Sequence, residues 1–249
     1  MKESITKSSF FCHVGKSILS FKSFSEITNA NKFSYLLNMM NENMFQGIFD
    51  FSRGINLVYG EAATGKTTIA MQLSRDVAKD KRVIFIDSEN GFSLERFKQI
   101  CGEGYKERLG RIFLLNAKSF FEQHKIIDGL SNANAKNIGL VVVDTLGMHY
   151  RNYVREDYAS ANRMMDKQFK VLQELTRNGI PVLITTQVYG DAGGDDVKEK
   201  SVKLLGGEMI RNWCGMVIKL EKLPREIVIE KPFRKEYKFQ IWNSGVQLV

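Results

Sequence analysis

The sequence predicts an α/β fold: a mostly parallel central sheet with helices on both faces, closed by an antiparallel C-terminal extension. Three observations predict it. Four short, continuously apolar runs, at 55–59, 82–87, 140–144 and 181–186, lack the alternation of half-exposed strands and read as strands buried on both faces. Amphipathic helical patterns stand between them, the signature of helices crossing over a parallel sheet. After residue 216 the helical periodicity stops, and runs at 216–221, 225–229 and 237–242 are expected as short antiparallel strands.

Taken in order, residues 1–44 are expected to be an N-terminal extension and 45–249 the core domain. Phe10, Phe11, Phe21, Phe24, Phe33, Phe45, Phe49 and Phe51 are too many aromatics for plain disorder, and are expected to cover an edge of the main domain. Residues 31–43 suggest a short helix with Phe33, Leu36, Leu37 and Met40 on one side. The first strand, 55–59, leads to a helix over 68–79 with Ile69, Leu73 and Val77 on one face. The strand at 82–87 is followed by helices over 94–100 and 120–130. The strand at 140–144 precedes a helix over 157–177, whose stripe is Met165, Phe169, Leu172 and Leu175. The run at 181–186 is the fourth strand.

Between the first strand and its helix lies Gly60-Glu61-Ala62-Ala63-Thr64-Gly65-Lys66-Thr67, followed by Thr68. It fits G-x-x-x-x-G-K-[ST], a phosphate-binding loop. Gly60 and Gly65 let the backbone turn with no Cβ in the way, so N–H groups from Ala63 onward can converge on an anion. The next helix adds its unpaired N-terminal donors. Lys66 is a point charge that reaches β- and γ-phosphates, and the Thr67 hydroxyl is a hard oxygen ligand for Mg²⁺. The spacing therefore predicts binding of a nucleoside triphosphate with Mg²⁺.

Three further residues complete such a site. Asp144 ends the third apolar run at a strand's carboxyl tip, where an open α/β sheet faces its ligand crevice. It is placed to hold Mg²⁺ across from Thr67. Glu89, just beyond the second strand, can orient and polarise a water attacking the γ-phosphate. Gln187, after Thr185-Thr186, is an uncharged donor and acceptor placed to sense that phosphate.

Composition removes other classes. With 43% hydrophobic and 26% charged residues the chain can build a core. No run approaches 18 apolar residues, so no membrane-spanning helix is expected. Cys12, Cys101 and Cys214 stand far apart with no C-x-x-C. That argues against a disulfide framework or zinc site and for a reducing, cytoplasmic setting. His13, His124 and His149 are equally scattered and are expected to be ordinary histidines. The first 24 residues lack arginine and a secretory apolar core, so no targeting peptide is expected. A net charge of +8 permits a polyanionic partner without demanding one.

The order of Gly60–Thr67, Ile86-Asp87-Ser88-Glu89, Val142-Val143-Asp144, Thr185-Thr186-Gln187-Val188 and Gly206-Gly207-Glu208-Met209-Ile210 resembles the core of the RecA-type recombinases. It is closest to their archaeal and eukaryal branch. The absence of a separate helix-hairpin-helix N-terminal domain makes it most similar to the short archaeal RadB paralogues. The resemblance implies a RecA-type P-loop NTPase core. It further implies a DNA-binding ATPase that assists homologous recombination and repair, with slow, Mg²⁺-dependent hydrolysis of ATP. Lys66, Glu89 and Gln187 would carry the catalysis, Glu89 as base and Gln187 as switch. Arg96 would stack on adenine, though it also reads as a solvated helix-surface arginine.

In that family two loops after the third and fourth strands line the DNA channel. The first, at 147–159, contains Tyr150, Arg151, Tyr153 and Arg155, charge interleaved with aromatics that suits phosphate contact and base stacking. The second, at 188–205, sets Asp191, Asp195, Asp196 and Glu199 against Lys198, Lys200 and Lys203, which opposes phosphate binding at its tip. Filaments of the family use a Phe-x-x-Ala knob. Phe21-Lys22-Ser23-Phe24 and Phe24-Ser25-Glu26-Ile27 lack the alanine, so robust filaments are not expected, while a recombinase of the same superfamily is a possible partner. Glu230-Lys231-Pro232-Phe233 is a candidate cap over a neighbour's ATP. Two other readings stay open. One is a KaiC-like signalling ATPase with a protein partner, which has no use for the arginines and tyrosines of the first loop. The other is a non-hydrolysing, ATP-dependent recombinase-interaction module, for which Glu89 would be dispensable.

Overall fold

Strand β1, Ile55–Gly60, is buried at every position because both faces of the sheet around it are covered. Ile55, Leu57 and Tyr59 enter one apolar cluster and Val58 the other, the alternation that a pleated strand imposes. The computed structural model describes residues 45, 47–132, 137–189, 203–204 and 207–249. The expected helix at 31–43, the aromatic pairs at 21–27 and the acidic loop tip lie outside the described residues.

The remaining strands are β2 (Arg82–Asp87), β3 (Ile112–Asn116), β4 (Ile138–Asp144), β5 (Val182–Tyr189), β6 (Lys203–Leu204), β7 (Cys214–Leu220), β8 (Glu226–Lys231), β9 (Lys235–Trp242) and β10 (Gly245–Leu248). Among the described residues they form one sheet in the order β10-β9-β8-β7-β1-β5-β4-β2-β3, with β6 paired to β5. The six strands from β7 to β3 run parallel. Strands β8 to β10 add an antiparallel wing.

The helices are α1 (Lys66–Val77), α2 (Leu94–Cys101), α3 (Tyr105–Leu109), α4 (Phe120–Gly129), α5 (Met148–Glu156), α6 (Tyr158–Arg177) and α7 (Gly207–Trp213). Polar side chains start three of them. Ser93, Ser119 and Asp157 accept from the backbone N–H groups of Arg96, Glu122 and Ser160 at the heads of α2, α4 and α6, satisfying donors that the helix leaves open. Helices α1 and α2 cover one face together with Phe45, Phe49 and Phe51, while α4 to α7 cover the other. The covering role expected of the N-terminal aromatics thus holds for these three phenylalanines, which pack edge to face and stacked.

Several expectations need correction. Strand β3 went unread, because Phe113, Leu114 and Leu115 at the sheet's border are only half-buried. The segment at 147–159 is no loop: α5 occupies most of it. Strand β7 pairs parallel with β1, so the antiparallel part begins only at β8. Helix α7 and strand β10 were not expected, and α1 starts at Lys66 rather than Thr68.

Candidate nucleotide site

Register brings four strand tips to one rim. Gly60 of β1 lies opposite Gln187 of β5, and Asp87 of β2 opposite Asp144 of β4. The loop after β1 bends through Ala63 at φ +62° and Gly65 at φ +106°, the left-handed region that glycine enters without penalty. A Cβ on Gly60 would run into the Leu220 carbonyl, and one on Gly65 would lie 3.0 Å from Ile241 Cδ1. No side chain caps α1, so its first N–H groups are left for an anion.

Lys66 is only 6% exposed. Its Nζ donates to the carbonyls of Gly60 (3.0 Å) and Glu61 (2.7 Å), which closes the loop on itself. Burial pulls its pKa down, opposed by the carboxylates of Asp144, Glu89 and Glu61. Thr64 is buried and donates to Glu61 O at 2.9 Å. Glu61, Ala62 and Ala63 line the outer, exposed side of the loop, and Thr67 and Thr68 are half-buried.

The Thr67 hydroxyl donates to Asp144 Oδ2 at 2.8 Å, and the Thr185 hydroxyl donates to Asp144 Oδ1. Burial pushes the Asp144 carboxyl up to about 6, against the pull of those two hydrogen bonds and with help from Asp87 and Glu89. Glu89 Oε1 accepts from Thr145 Oγ1 (2.8 Å) and Gln187 Nε2 (3.1 Å), and Oε2 accepts from the same amide at 2.8 Å. The turn that carries Glu89 is itself held by Asp87, whose carboxylate accepts from the N–H groups of Glu89, Gly91 and Phe92 at 2.9–3.1 Å.

Sequence reasoning gave no part to Asp87, Thr145 or Thr185. For Asp87 a signal existed, since an aspartate heading Ser-Glu-Asn-Gly is a side-chain-closed turn. For the two threonines none existed, because their partners lie on other strands.

Thr67 Oγ1 and Asp144 Oδ2 are two hard oxygens at hydrogen-bond separation. That donor set fits Mg²⁺, which takes one or two protein oxygens and completes its shell with phosphate and water. Among the described residues no cluster of three or more His, Cys, Asp or Glu could hold a metal.

Arg96 points toward the C-terminal wing. Its guanidinium donates to the carbonyls of Trp242 (2.8 Å) and Asn243 (3.2 Å) and to Gln99 Oε1 (3.1 Å). It lines a cleft with Thr68, Gln99, Trp242, Asn243 and Gln247, next to the helix that begins at the phosphate loop. Arg96 is half-buried and fastens the β9–β10 turn, a role that neither sequence reading of it named.

The residues expected to face DNA fare differently. Tyr150 is 4% exposed; its hydroxyl donates to Asn162 Oδ1 at 2.6 Å and its ring meets Phe120 edge-on. Half-buried Tyr153 also packs on Phe120. The stacking role expected of Tyr150 is corrected: at helical spacing its ring turns inward to the core. Arg151 is half-buried and Arg155 exposed. In the candidate cap segment Phe233 is exposed, while its first two residues bond within the chain. Glu230 accepts from Tyr59 (2.8 Å) and Arg211 (2.7 Å), and Lys231 donates to Cys214 O (2.6 Å), so both are engaged within their own fold.

Comparison with known proteins agrees with this geometry. Residues 38–247 match the family model described as Rad51. DNA repair and recombination protein RadB of Methanocaldococcus jannaschii is 32% identical over 204 residues, covering 78% of this chain and 93% of the relative. The RadB protein of Thermococcus gammatolerans is 33% identical over 210 residues, covering 79% and 91%. A solved RadB recombinase structure superposes with a TM-score of 0.66 at 30% identity, covering 79% of this chain and 91% of that one. Matched along most of its length and aligned nearly end to end with relatives above 30% identity, the chain belongs to the Rad51 family.

Proposed function

We propose that the protein is a RadB-like, DNA-binding ATPase that assists homologous recombination and DNA repair in the cytoplasm, with slow, Mg²⁺-dependent hydrolysis. Residues 45–249 form its catalytic core. The observation that carries this reading is the Glu89 carboxylate, held by Gln187 and Thr145 on the rim it shares with Lys66, Thr67 and Asp144.

The backbone N–H groups of the 60–67 loop and the head of α1 bind the triphosphate. Lys66 leaves its two carbonyl contacts to meet the β- and γ-phosphates. Thr67 and Asp144 hold Mg²⁺, which when bound neutralises charge on the phosphate oxygens. Glu89 orients the attacking water and accepts its proton. Gln187 already bonds Glu89, so it exchanges that bond for one to the γ-phosphate and reports nucleotide state along β5. Gln187 and Thr145 take three of the roughly four acceptor sites of the Glu89 carboxylate, so water must use the remaining site or displace a partner, which supports slow turnover. Arg96 walls the cleft for the adenine. The names of the relatives, the net charge of +8 and the arginines of α5, Arg151 and Arg155, support DNA as the polyanionic partner. A recombinase of the same family is the proposed protein partner.

Hydrolysis by wild type and Glu89→Gln, with DNA binding by wild type and the Arg151→Ala/Arg155→Ala double variant across a salt series, tests this reading. Glu89→Gln is expected to abolish turnover, and DNA affinity to fall with salt and with loss of the arginines. Wild-type turnover in Glu89→Gln refutes Glu89 as the base, and no turnover by wild type refutes the enzyme. DNA affinity indifferent to salt and to the arginines favours the signalling ATPase.

A further inference from the structure

On the sheet face opposite α1, a buried polar chain runs behind the carboxylate rim and takes no part in the roles assigned above. Ser88 Oγ donates to Gln123 Oε1 at 3.0 Å. Gln123 Nε2 donates to the Leu146 carbonyl at 3.2 Å and to Gln168 Oε1 at 2.9 Å. Gln123 and Gln168 are fully buried, and Ser88 is 5% exposed. The orientation of the Gln123 amide is fixed, because the Leu146 carbonyl can only accept and so requires the nitrogen. Gln168 must then present its oxygen, and its own Nε2 is left buried with no partner.

Such a chain is a poor way to stabilise a core. An unpaired buried donor carries a penalty that an apolar side chain of the same size would avoid. Its effect is geometric. Ser88 stands between Asp87 and Glu89, and its N–H donates to Asp144 O at 2.8 Å. Leu146 follows Thr145, the residue whose hydroxyl holds Glu89, and its N–H donates to Thr185 O at 2.9 Å. One amide thus ties the residue before Glu89 to the residue after Thr145. It sets the spacing of the two segments from which the carboxylate and its hydroxyl partner project.

We propose that Gln123 is a positioning residue for hydrolysis, holding Glu89 in register with Thr145 and Asp144 from behind the sheet, with Ser88 as its link and Gln168 as its anchor on α6. This rests on the ATPase reading above. Reaction rates are steep in such placement, where a shift of about 1 Å can lose about 100-fold.

The test uses the full chain and four proteins: wild type, Ser88→Ala, Gln123→Leu and their double variant, with Glu89→Gln as control. Turnover is counted per site that binds a fluorescent ATP analogue, so that unfolded protein does not enter. Ser88→Ala is expected to lower kcat about 5-fold and Gln123→Leu about 20-fold, within the range that misplacement produces, with KM for MgATP within about 2-fold of wild type. The double variant is expected to be no slower than Gln123→Leu, because both changes cut one link. A residue that merely supports the fold would lower the melting temperature and leave kcat per binding site unchanged, and that result overturns the proposal. Additive losses overturn it too. If Gln123→Leu does not fold, Ser88→Ala decides alone. Full turnover in Ser88→Ala and Gln123→Leu with none in Glu89→Gln sinks only the positioning role, whereas no hydrolysis by wild type sinks the ATPase reading itself.

Discussion

Replacing Asp144 with asparagine should make the metal-free protein more stable while removing Mg²⁺-dependent turnover. Burial lifts the carboxyl from its ordinary 3.8 to about 6, so the folded state binds this proton more tightly than the unfolded chain does. Between pH 4 and 6 the folded protein therefore carries the extra proton, and stability falls as pH rises through that window. Above pH 6 the loss is complete. At about 1.4 kcal/mol for each tenfold change in proton affinity it amounts to at most about 3 kcal/mol, and relaxation and water entry reduce it toward about 1 kcal/mol. Asparagine removes the charge and keeps the contacts: its oxygen accepts from Thr185, and its amide faces the Thr67 hydroxyl, which can turn to accept. Urea midpoints in EDTA at pH 4.5, 5.5 and 7.5 measure the effect. The advantage of Asp144→Asn over wild type should be smallest at pH 4.5 and grow to about 1–3 kcal/mol at pH 7.5. A difference that does not change with pH, or a variant less stable at pH 7.5, refutes the reasoning.

Two further outcomes are expected. Lys66→Ala should lose ATP binding altogether by equilibrium fluorescence titration; retained affinity would contradict the placement of the phosphates. Gln72→Leu should destabilise the fold by about 2–4 kcal/mol in chemical denaturation, because the buried Gln72 amide pairs with both the N–H (2.7 Å) and the C=O (3.1 Å) of Val246 and leucine strands them. The same variant should weaken ATP binding, since the wing that α1 holds there forms one wall of the cleft; unchanged stability would show that water replaces both bonds.

The parts of this molecule legible in the sequence are those set by local chemistry. Strands β1, β2, β4 and β5 are short apolar runs because the sheet is covered on both faces. The phosphate loop is legible because Gly60, Gly65 and Lys66 have no substitutes at that spacing. The border strands β3 and β10 carried little signal: one is half-exposed, and the other owes its place to β9 and to the Gln72 side chain. Helix α5 read as a loop because arginines and tyrosines in one segment suggested a binding surface. The spacing of Tyr150, Tyr153 and Val154 was the overlooked helical stripe. Within the site, Glu89, Asp144 and Gln187 could be named from strand tips, and Lys66 from the spacing of the loop. Thr145 and Thr185 could not be given roles, since each acts through a partner that only the sheet order brings near, whereas Asp87 closes a local turn that the Asp-Ser-Glu-Asn-Gly run spells out.

The cleft beside Thr68 is walled by residues 241–247, which the Gln72 amide and the Arg96 guanidinium pin to helices 174 and 147 positions earlier. A nascent chain emerging from the ribosome will therefore present a finished phosphate loop long before it can seat a nucleoside. Nucleotide capture should appear only once residues 241–247 are free to pack on α1 and α2, which makes ATP a reporter of the docked wing rather than an early template for folding.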